Sequence, residues 1–249
     1  MPVTNWGWQI TPEEIQAWTI RNDGDVLVIN KPALVVCHPS KQGPWSSLVG
    51  ACREYLGVER LHMPSRLDRE TSGVVIFAKH AAKASELQKA IQMREVKKCY
   101  LAVLHGELQQ AVVVDQPIGA HGNSPVYTRR AVQPDGQSSI TEFVPISAAN
   151  GFTLARIAPQ TGRMHQIRVH AQWLGFPIVG DKVYGPDDKL YVRFIEQGFT
   201  PDMELQLLLP RQALHASRLD FLTSPVQTFE APLAADLADF CRKHQLDLP

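Results

Sequence analysis

The sequence lacks the features that define several large protein classes. Its 25 basic and 25 acidic residues leave no net charge at pH 7, whereas many nucleic-acid-binding domains are basic overall. The 4 cysteines lie far apart without a C-x-x-C pair, so neither a zinc site nor a disulfide framework is predicted. No apolar run approaches the roughly 20 residues of a membrane span, and residues 1–6 do not resemble a signal peptide. We therefore expect a globular, cytoplasmic protein with no membrane segment.

The familiar catalytic motifs are absent as well. The chain contains no G-x-S-x-G, no Walker phosphate loop, no G-x-G-x-x-G and no H-E-x-x-H. His165 and His170 lie on one predicted helix, but their spacing points them to different faces. A metal pair is therefore not predicted, and core or capping roles suit both histidines better.

Local patterns predict a mixed α+β fold with an antiparallel core. Two apolar segments, 139–144 and 152–157, flank Asn150-Gly151, a dipeptide that is typical of tight hairpin turns. There is no internal repeat and no flexible linker. We predict an N-terminal extension, residues 1–24, packed on one larger domain, residues 25–249.

Caps and periodicity indicate several helices. Residues 11–14 have the form of a helix start closed by a capping box. Residues 81–93 place apolar side chains on one face and lysines on the other. A third helix is predicted from Met164 to about Leu174. Residues 186–210, in contrast, follow no regular pattern.

The most unusual stretch places an acid between two arginines. Arg66-Leu67-Asp68-Arg69 stands shortly before Gly73 and the apolar run 74–78. Opposite charges within roughly 4–6 Å favour the ionised form of a carboxyl group, so Asp68 is expected to stay anionic at neutral pH. Such a carboxylate suits a nucleophile or base for a substrate that arginines also hold. A structural ion pair in a surface turn has the same pattern, so both interpretations stay open here.

A second polar segment lies on the helix predicted after Thr161-Gly162. Arg163, Gln166 and His170 project on roughly one side, with Arg168 between turns. A buried charge needs a partner, and Asp68 is the obvious candidate for Arg168. Arg163, near the helix start, would lie where exposed backbone amides already favour a phosphate.

Six short motifs follow one another along the chain. They are Ile29-Asn30-Lys31-Pro32, Arg66-Leu67-Asp68 with Thr71-Ser72-Gly73, Lys98-Cys99-Tyr100-Leu101-Ala102, Thr161-Gly162-Arg163-Met164-His165-Gln166-Ile167-Arg168-Val169-His170, Gly180-Asp181 with Tyr184-Gly185, and Leu214-His215-Ala216. Each motif alone is weak, but the ordered set is specific. Together, over about residues 25–231, they resemble the RluA family of pseudouridine synthases.

The resemblance implies a bifurcated antiparallel sheet with flanking helices and an enzyme that isomerises uridine in structured RNA. Asp68 matches the catalytic aspartate, and Tyr100 matches the tyrosine that stacks on the target base. Arg168 matches the arginine paired with the aspartate, and Arg66 the arginine that enters the RNA where the uridine leaves. Further candidates for RNA contact in the same motifs are Lys31, Arg163, His165 and Gln166. The family commonly has histidine where this chain has Ser65, a departure that bears on substrate choice.

The implied reaction also predicts the partners. It breaks the C1′–N1 bond of uridine and joins C5 to C1′, with no oxidation and no loss of atoms, so no metal or organic cofactor is expected. Flipping the base costs a few kcal/mol, which a stacking tyrosine and an intruding arginine would offset. The expected partner is ribosomal or transfer RNA. Neither a membrane nor an obligate protein partner is expected, and the chain is predicted to be a monomer.

Two other functions fit part of the same residues. A glycoside-cleaving enzyme would need two carboxylates about 5–9.5 Å apart, and Asp68 with Glu70 could supply them. The neighbouring arginines and the lack of sugar-stacking aromatics nearby argue against that function. An RNA-binding module without catalysis is the other alternative, although it leaves Asp68, Tyr100 and Arg168 unexplained as a set.

Overall fold

A computed structural model describes residues 8–38, 43–223 and 225–249. The described chain forms two compact units. The first unit contains the described residues up to 98 together with Ala216–Pro232, and the second contains Cys99–His215 with Leu233–Pro249. Strands β4 (Val96–His105) and β10 (Leu214–Phe221) each begin in one unit and end in the other.

The first unit is an antiparallel sheet with helices on both faces. Its remaining elements are α1 (Pro12–Trp18), β1 (Thr19–Asn22), β2 (Val26–Lys31), α2 (Leu48–Leu56), β3 (Ser72–Ala78), α3 (Ala81–Gln92) and β11 (Gln227–Glu230). Strand β2 lies between β1 and β3 and pairs with β3 from Val26↔Ala78 to Lys31↔Gly73. Alternate residues of a strand face opposite sides of the sheet. Accordingly, Val26 and Val28 pack with α3, whereas Leu27 and Ile29 pack with α1 and α2.

The N-terminal segment packs on this unit. Thr11 accepts a hydrogen bond from the backbone N–H of Glu14, and the Glu14 carboxylate accepts one from the backbone N–H of Thr11. The predicted capping box is therefore confirmed. Ile15 of α1 is fully buried, and Trp8 and Trp18 pack on the same cluster. These contacts agree with an extension held against the sheet, although the boundary at residue 24 stays a prediction.

Besides its part of β4, the second unit contains β5 (Val112–Asp115), β6 (Ile118–Ala120), β7 (Arg130–Val132), β8 (Ile140–Ala149), β9 (Phe152–Pro159), α4 (Gln166–Trp173), α5 (Lys189–Gln197), α6 (Pro201–Leu207) and α7 (Ala235–Lys243). It is built around antiparallel strands in the order β4-β9-β8-β5. Strands β8 and β9 form the predicted hairpin, since Asn150 and Gly151 both have positive φ, 54° and 79°. That combination is what a two-residue turn of matching twist requires.

The fold class is confirmed, but two helical expectations need correction. The strand pairs β1–β2, β2–β3, β4–β9, β5–β8, β6–β7, β8–β9 and β10–β11 are antiparallel, and helices flank the strands, as expected for the mixed α+β class. Helix α4 begins at Gln166 instead of Met164, because His165 adopts a left-handed conformation. Residues 186–210, which showed no pattern, contain α5 and α6, with Leu190, Phe194, Met203 and Leu207 forming a small core of their own.

Candidate active site

Asp68 lies in a tight turn that leads into β3. Its carbonyl oxygen accepts a hydrogen bond from the backbone N–H of Thr71 at 3.1 Å. The next carbonyl, that of Arg69, accepts from the backbone N–H of Leu34 at 2.7 Å and from Lys31 Nζ at 3.1 Å. The turn is thus tied to the segment that follows β2, which fixes the backbone on which the Asp68 carboxylate is carried.

Lys31 supports this turn from inside the unit. It is fully buried, and its ammonium group also donates to the carbonyls of Pro32 and Val35, both at 2.9 Å. With the bond to Arg69, all three N–H donors of the ammonium are used. Lys31 therefore cross-links three points of the loop system around Asp68. A direct contact between Lys31 and RNA stays a prediction that this geometry does not favour.

The two arginines that flank Asp68 have different surroundings. Arg66 is exposed and makes no hydrogen bond or ion pair within the described ranges. Arg69, for which sequence reasoning gave no role, donates from Nε to the carbonyl of Leu34 at 3.2 Å. Arg69 therefore braces the turn through both its side chain and its backbone, whereas Arg66 offers its charge to solvent.

Gly73 allows the strand after the turn to lie close to β10. It has a φ of 111°, and a Cβ atom there would come within 2.2 Å of the Ala216 carbonyl oxygen. A positive φ is strained for a residue with a side chain, and the contact excludes any added atom. The glycine in the motif is therefore required by backbone packing beside the Asp68 turn.

In the second unit, Arg168 is held by a carboxylate that sequence reasoning did not identify. Its Nε lies 2.6 Å from Asp181 Oδ2 and its Nη2 lies 2.8 Å from Asp181 Oδ1. Arg168 is 7% exposed and the Asp181 side chain is fully buried. This two-pronged contact fixes the plane of the guanidinium group. The expected pairing of Arg168 with Asp68 stays a prediction.

Asp181 is ionised in this setting. Burial alone would raise the pKa of the Asp181 carboxyl, but the Arg168 charge and the hydrogen bonds to the carboxylate outweigh burial and hold that pKa below its usual value. Those bonds include the backbone N–H groups of Val183 and Tyr184, both at 3.0 Å. A carboxylate with four donors around it is stabilised in its charged form, so Arg168 faces a permanent negative charge.

Tyr184 connects this ion pair to His165. Its ring is fully buried, with the Arg168 guanidinium 4.9 Å from the ring centroid. Its hydroxyl oxygen lies 2.8 Å from His165 Nδ1 and accepts the backbone N–H of Arg130 at 2.8 Å. His165 has a φ of 58°, a conformation that is uncommon for residues other than glycine and is found at functional sites more often than elsewhere. Asp181, Arg168, Tyr184 and His165 thus form one connected set.

Gln166 shapes the loop that precedes α4. Its Oε1 accepts from the Thr161 hydroxyl at 2.7 Å and from the backbone N–H of Arg163 at 3.0 Å. Its Nε2 donates to the Ile140 carbonyl and the Thr141 hydroxyl, both at 2.9 Å. These four bonds use the full hydrogen-bonding capacity of the amide. Gln166 is 3% exposed and therefore positions the loop, while its predicted contact with RNA stays a prediction.

The remaining predicted residues lie around this loop and on β4. Arg163 is exposed and, unlike the expectation, lies before α4 and not within it; its Nε donates to the Ser138 carbonyl at 3.3 Å. Tyr100 is partly buried on β4, where it pairs with Ile157 of β9. His170 has the expected core role, because it is fully buried and hydrogen-bonded to the Thr141 hydroxyl and the Gln116 carbonyl.

The structure therefore groups the predicted residues in two sets. Lys31, Arg66 and Asp68 belong to the first unit, and the second unit holds Tyr100, Arg163, His165, Gln166 and Arg168. The supporting residues that sequence reasoning missed are Arg69, Thr161, Asp181 and Tyr184. All four stand inside or next to the quoted motifs, so the motifs themselves were the available signal.

The described residues contain neither a candidate metal site nor a candidate membrane span. No group of three or more His, Cys, Asp or Glu side chains with metal-binding geometry occurs among the residues that the structure describes. Within the same residues, no helix combines the length and apolarity needed to cross a membrane.

Comparison with known proteins identifies the chemistry of these motifs. The sequence model of the RNA pseudouridylate synthase family matches residues 25–173. The chain belongs to this family. It is 31% identical over 245 residues to the uncharacterized RNA pseudouridine synthase YhcT of Bacillus subtilis, and the alignment covers 94% of this chain and 74% of that protein. It is 34% identical over 242 residues to the ribosomal large subunit pseudouridine synthase D of Vibrio vulnificus, and the alignment covers 94% of this chain and 71% of that protein.

Solved structures give the same result for this pseudouridine synthase. The human protein RNA pseudouridylate synthase domain containing 4 matches with a TM-score of 0.73 and 25% identity, over 96% of this chain and 97% of that chain. The human protein RNA pseudouridylate synthase domain containing 1 matches with a TM-score of 0.64 and 22% identity, over 93% of this chain and 96% of that chain. This match supports the fold. The predicted RluA-family enzyme, which isomerises uridine in RNA, is confirmed. The glycoside-cleaving and non-catalytic alternatives have no such support.

Proposed function

We propose that this pseudouridine synthase uses Asp68 as its catalytic group and that its substrate is large-subunit ribosomal RNA. The observation that carries the first part is the construction of the Asp68 turn. A buried lysine and the side chain of Arg69 tie the residue after Asp68 to the loop that follows β2, although the turn itself belongs to no helix or strand. Such support is expected where a side chain must be placed accurately for chemistry.

The proposed reaction conserves every atom. The C1′–N1 bond of uridine breaks, the uracil turns, and C5 joins C1′; C5 loses its hydrogen as a proton and N1 gains one. The ionised Asp68 either attacks C1′ or removes a ribose proton, and both routes need the anion. Tyr100 stacks on the target base, and Arg168 pairs with the carboxylate. A flipped base loses its stacking in the RNA, and Arg66 fills the space that the base leaves.

The surroundings of the other candidate residues for RNA contact divide most of them into two roles. Arg66 and Arg163 are exposed, so their charges are available to phosphate groups. Lys31 and Gln166 are buried with their donors used, so we assign them to positioning. His165 combines features of both roles, since its side chain is partly buried and contacts the Tyr184 hydroxyl. In this proposal it contacts RNA.

Substitution of Asp68 tests the catalytic assignment. Asp68→Asn keeps the size of the side chain and removes its charge, so pseudouridine formation should fall by at least several orders of magnitude while RNA binding persists. Glu70→Gln is the matched control, because Glu70 lies in the same turn and would be needed by the glycoside-cleaving alternative. Pseudouridine is measured by carbodiimide modification and reverse transcription. Activity of Asp68→Asn near that of the wild type would overturn the assignment, and free uracil would support base cleavage instead.

The ribosomal substrate rests on the names of relatives that are similar over most of this chain. Mapping pseudouridines in total RNA from cells with and without the gene tests it. A site lost from large-subunit ribosomal RNA supports the proposal. Loss of sites from transfer RNA alone would contradict it and would leave the catalytic assignment intact.

Three further predictions accompany this proposal. We expect residues 25–249 to form one catalytic domain, the chain to be a monomer, and its location to be the cytoplasm. Sedimentation of the purified chain tests the oligomeric state, and fractionation of cells tests the location.

A further inference from the structure

The loop between β6 and β7 presents an aromatic ring to solvent. Tyr127 is 98% exposed, and its side chain makes no hydrogen bond or ring contact within the parts of the chain that are described. Tyrosine side chains are usually at least partly buried, and a single exposed apolar group needs no explanation by itself. The surroundings of Tyr127 are what make its exposure informative.

The loop beneath this ring is held firmly to the second unit. Val126, next to Tyr127, is 4% exposed and packs in a cluster with Val169 of α4 and with Tyr184. The Ser124 hydroxyl donates to Asp188 Oδ2 at 2.8 Å and accepts the backbone N–H of Val126 at 3.1 Å. The backbone that carries the ring is therefore held in place before any ligand binds, so little backbone entropy would be lost when a ligand covers the ring.

Arg129 strengthens the same support. Its guanidinium group forms an ion pair with Asp188, and its backbone N–H donates to the Val126 carbonyl at 2.9 Å, which closes the turn around Tyr127. The Ser124 hydroxyl bond and the Arg129 charge hold the pKa of Asp188 low, against the opposing effect of burial. The anchoring carboxylate is therefore charged at neutral pH.

The loop is also linked to a residue of the predicted RNA-binding set. The backbone N–H of Arg130 donates to the Tyr184 hydroxyl, which in turn lies 2.8 Å from His165 Nδ1. The Arg130 side chain makes no hydrogen bond or ion pair within the described ranges. An unpaired cation three residues from an exposed aromatic ring is the combination that single-stranded nucleic acid recognises, since the ring stacks on a base and the cation meets the backbone.

We propose that Tyr127 stacks on an unpaired nucleobase of the RNA substrate, outside the uridine that is isomerised, with Arg130 meeting the adjoining phosphate. This inference rests on the RNA-modifying function and adds a contact for recognising unpaired regions of the substrate. A double helix offers no free base faces along its length, so the contact favours loops and bulges. A protein partner at Tyr127 is the other occupant that the test must detect.

Variants of Tyr127 in the full chain provide the test. The probes are a fluorescent hairpin RNA with a uridine-containing loop and a blunt RNA duplex of equal length. Tyr127→Ala should weaken binding of the hairpin by about 5- to 150-fold, the range for loss of one stacked base, and leave duplex binding unchanged. Tyr127→Phe keeps the ring and should bind as the wild type does. Leu205→Ala, at another exposed apolar residue of the same unit (80% exposed), is the matched control.

Kinetics separate this contact from catalysis. On an RNA that the enzyme modifies, Tyr127→Ala should raise KM and leave kcat within about twofold, because no step at the uridine is altered. Hairpin binding by Tyr127→Ala that equals wild-type binding would overturn the proposal, as would an equal loss with Tyr127→Phe or loss of a protein complex without loss of RNA binding. These outcomes differ from failure of the catalytic assignment, which would appear as an active Asp68→Asn variant.

Discussion

Each compact unit contains a buried cation that belongs to a sequence motif, Lys31 in the first and Arg168 in the second. These two cations are held in different ways. Lys31 donates to three backbone carbonyls, at positions 32, 35 and 69. Arg168 places two nitrogens on the single carboxylate of Asp181. The difference follows from the side chains, since an ammonium group is a compact point charge with three donors, whereas a guanidinium group is a planar fork that matches a carboxylate.

The two cations therefore have different structural effects. Lys31 draws together chain segments that are far apart in sequence, so it fixes the course of the loops around Asp68. Arg168 is itself the oriented group, because Asp181 and the Tyr184 ring determine the plane of its guanidinium. Lysine is thus the support in the first unit, and arginine is the supported residue in the second.

The largest expected effect follows from removal of Asp181. Asp181→Ala leaves the Arg168 charge without its buried carboxylate, and breaking a buried ion pair by removing one partner costs about 3–5 kcal/mol. The free energy of unfolding, measured in urea, should fall by that amount. Asp202→Ala is the control, because the Arg193–Asp202 pair is exposed and exposed pairs contribute little. Equal stability of the two variants would show that the buried Arg168–Asp181 pair contributes no more than the exposed Arg193–Asp202 pair.

The second-largest loss in the free energy of unfolding is expected when Lys31 is replaced. Lys31→Met keeps the length of the side chain and removes three donors, so buried carbonyls lose their partner; we expect a loss of about 2–3 kcal/mol. Pseudouridine formation should fall as well, because the turn that carries Asp68 loses its support. Lys89→Met, at an exposed lysine of α3, should change neither quantity. Full activity of Lys31→Met would show that the support is unnecessary for catalysis.

Gln166 shows how much support a buried neutral side chain provides, in contrast to the two buried cations. Gln166→Leu has a similar volume but lacks the four hydrogen bonds to the loop before α4, and we expect a loss of about 1–2 kcal/mol. The expected functional change is a higher KM, since the loop places Arg163. Gln88→Leu, exposed on α3, is the matched control. An unchanged KM would separate the loop from RNA binding.

The smallest effect is a dependence of stability on pH. The pKa of Asp181 is lower in the folded chain than its unfolded value of 3.8, so its contribution to stability is complete above that value. The contribution is lost as pH falls below 3.8 and through the folded pKa, because the unfolded chain then binds the proton more tightly. Urea unfolding at pH 7 and pH 3 should show a larger drop for the wild type than for Asp181→Asn. Parallel curves would contradict the ionised state of Asp181.

Sequence reasoning succeeded where the signal was local or ordered along the chain. The capping box at Thr11 and the turn at Asn150-Gly151 each depend on a few adjacent residues. Local helix and strand patterns predicted the mixed α+β class, and the ordered set of motifs identified the family. The same reasoning placed Arg163 on a helix, because nothing in the sequence shows that His165 adopts a left-handed conformation. Helix α5 was missed although Leu190 and Phe194 share a helical spacing.

The sequence by itself determined the reaction, because the ordered motifs are specific to one family, and it determined the local elements, because caps and turns are short-range. Only the tertiary structure decided which buried residues serve as supports. Lys31 and Gln166 read as polar candidates for RNA, yet their donors are used inside the protein, since a buried polar group must find its partners there. Asp181 became the partner of Arg168 for the same reason, across 13 positions of sequence that no local pattern connects.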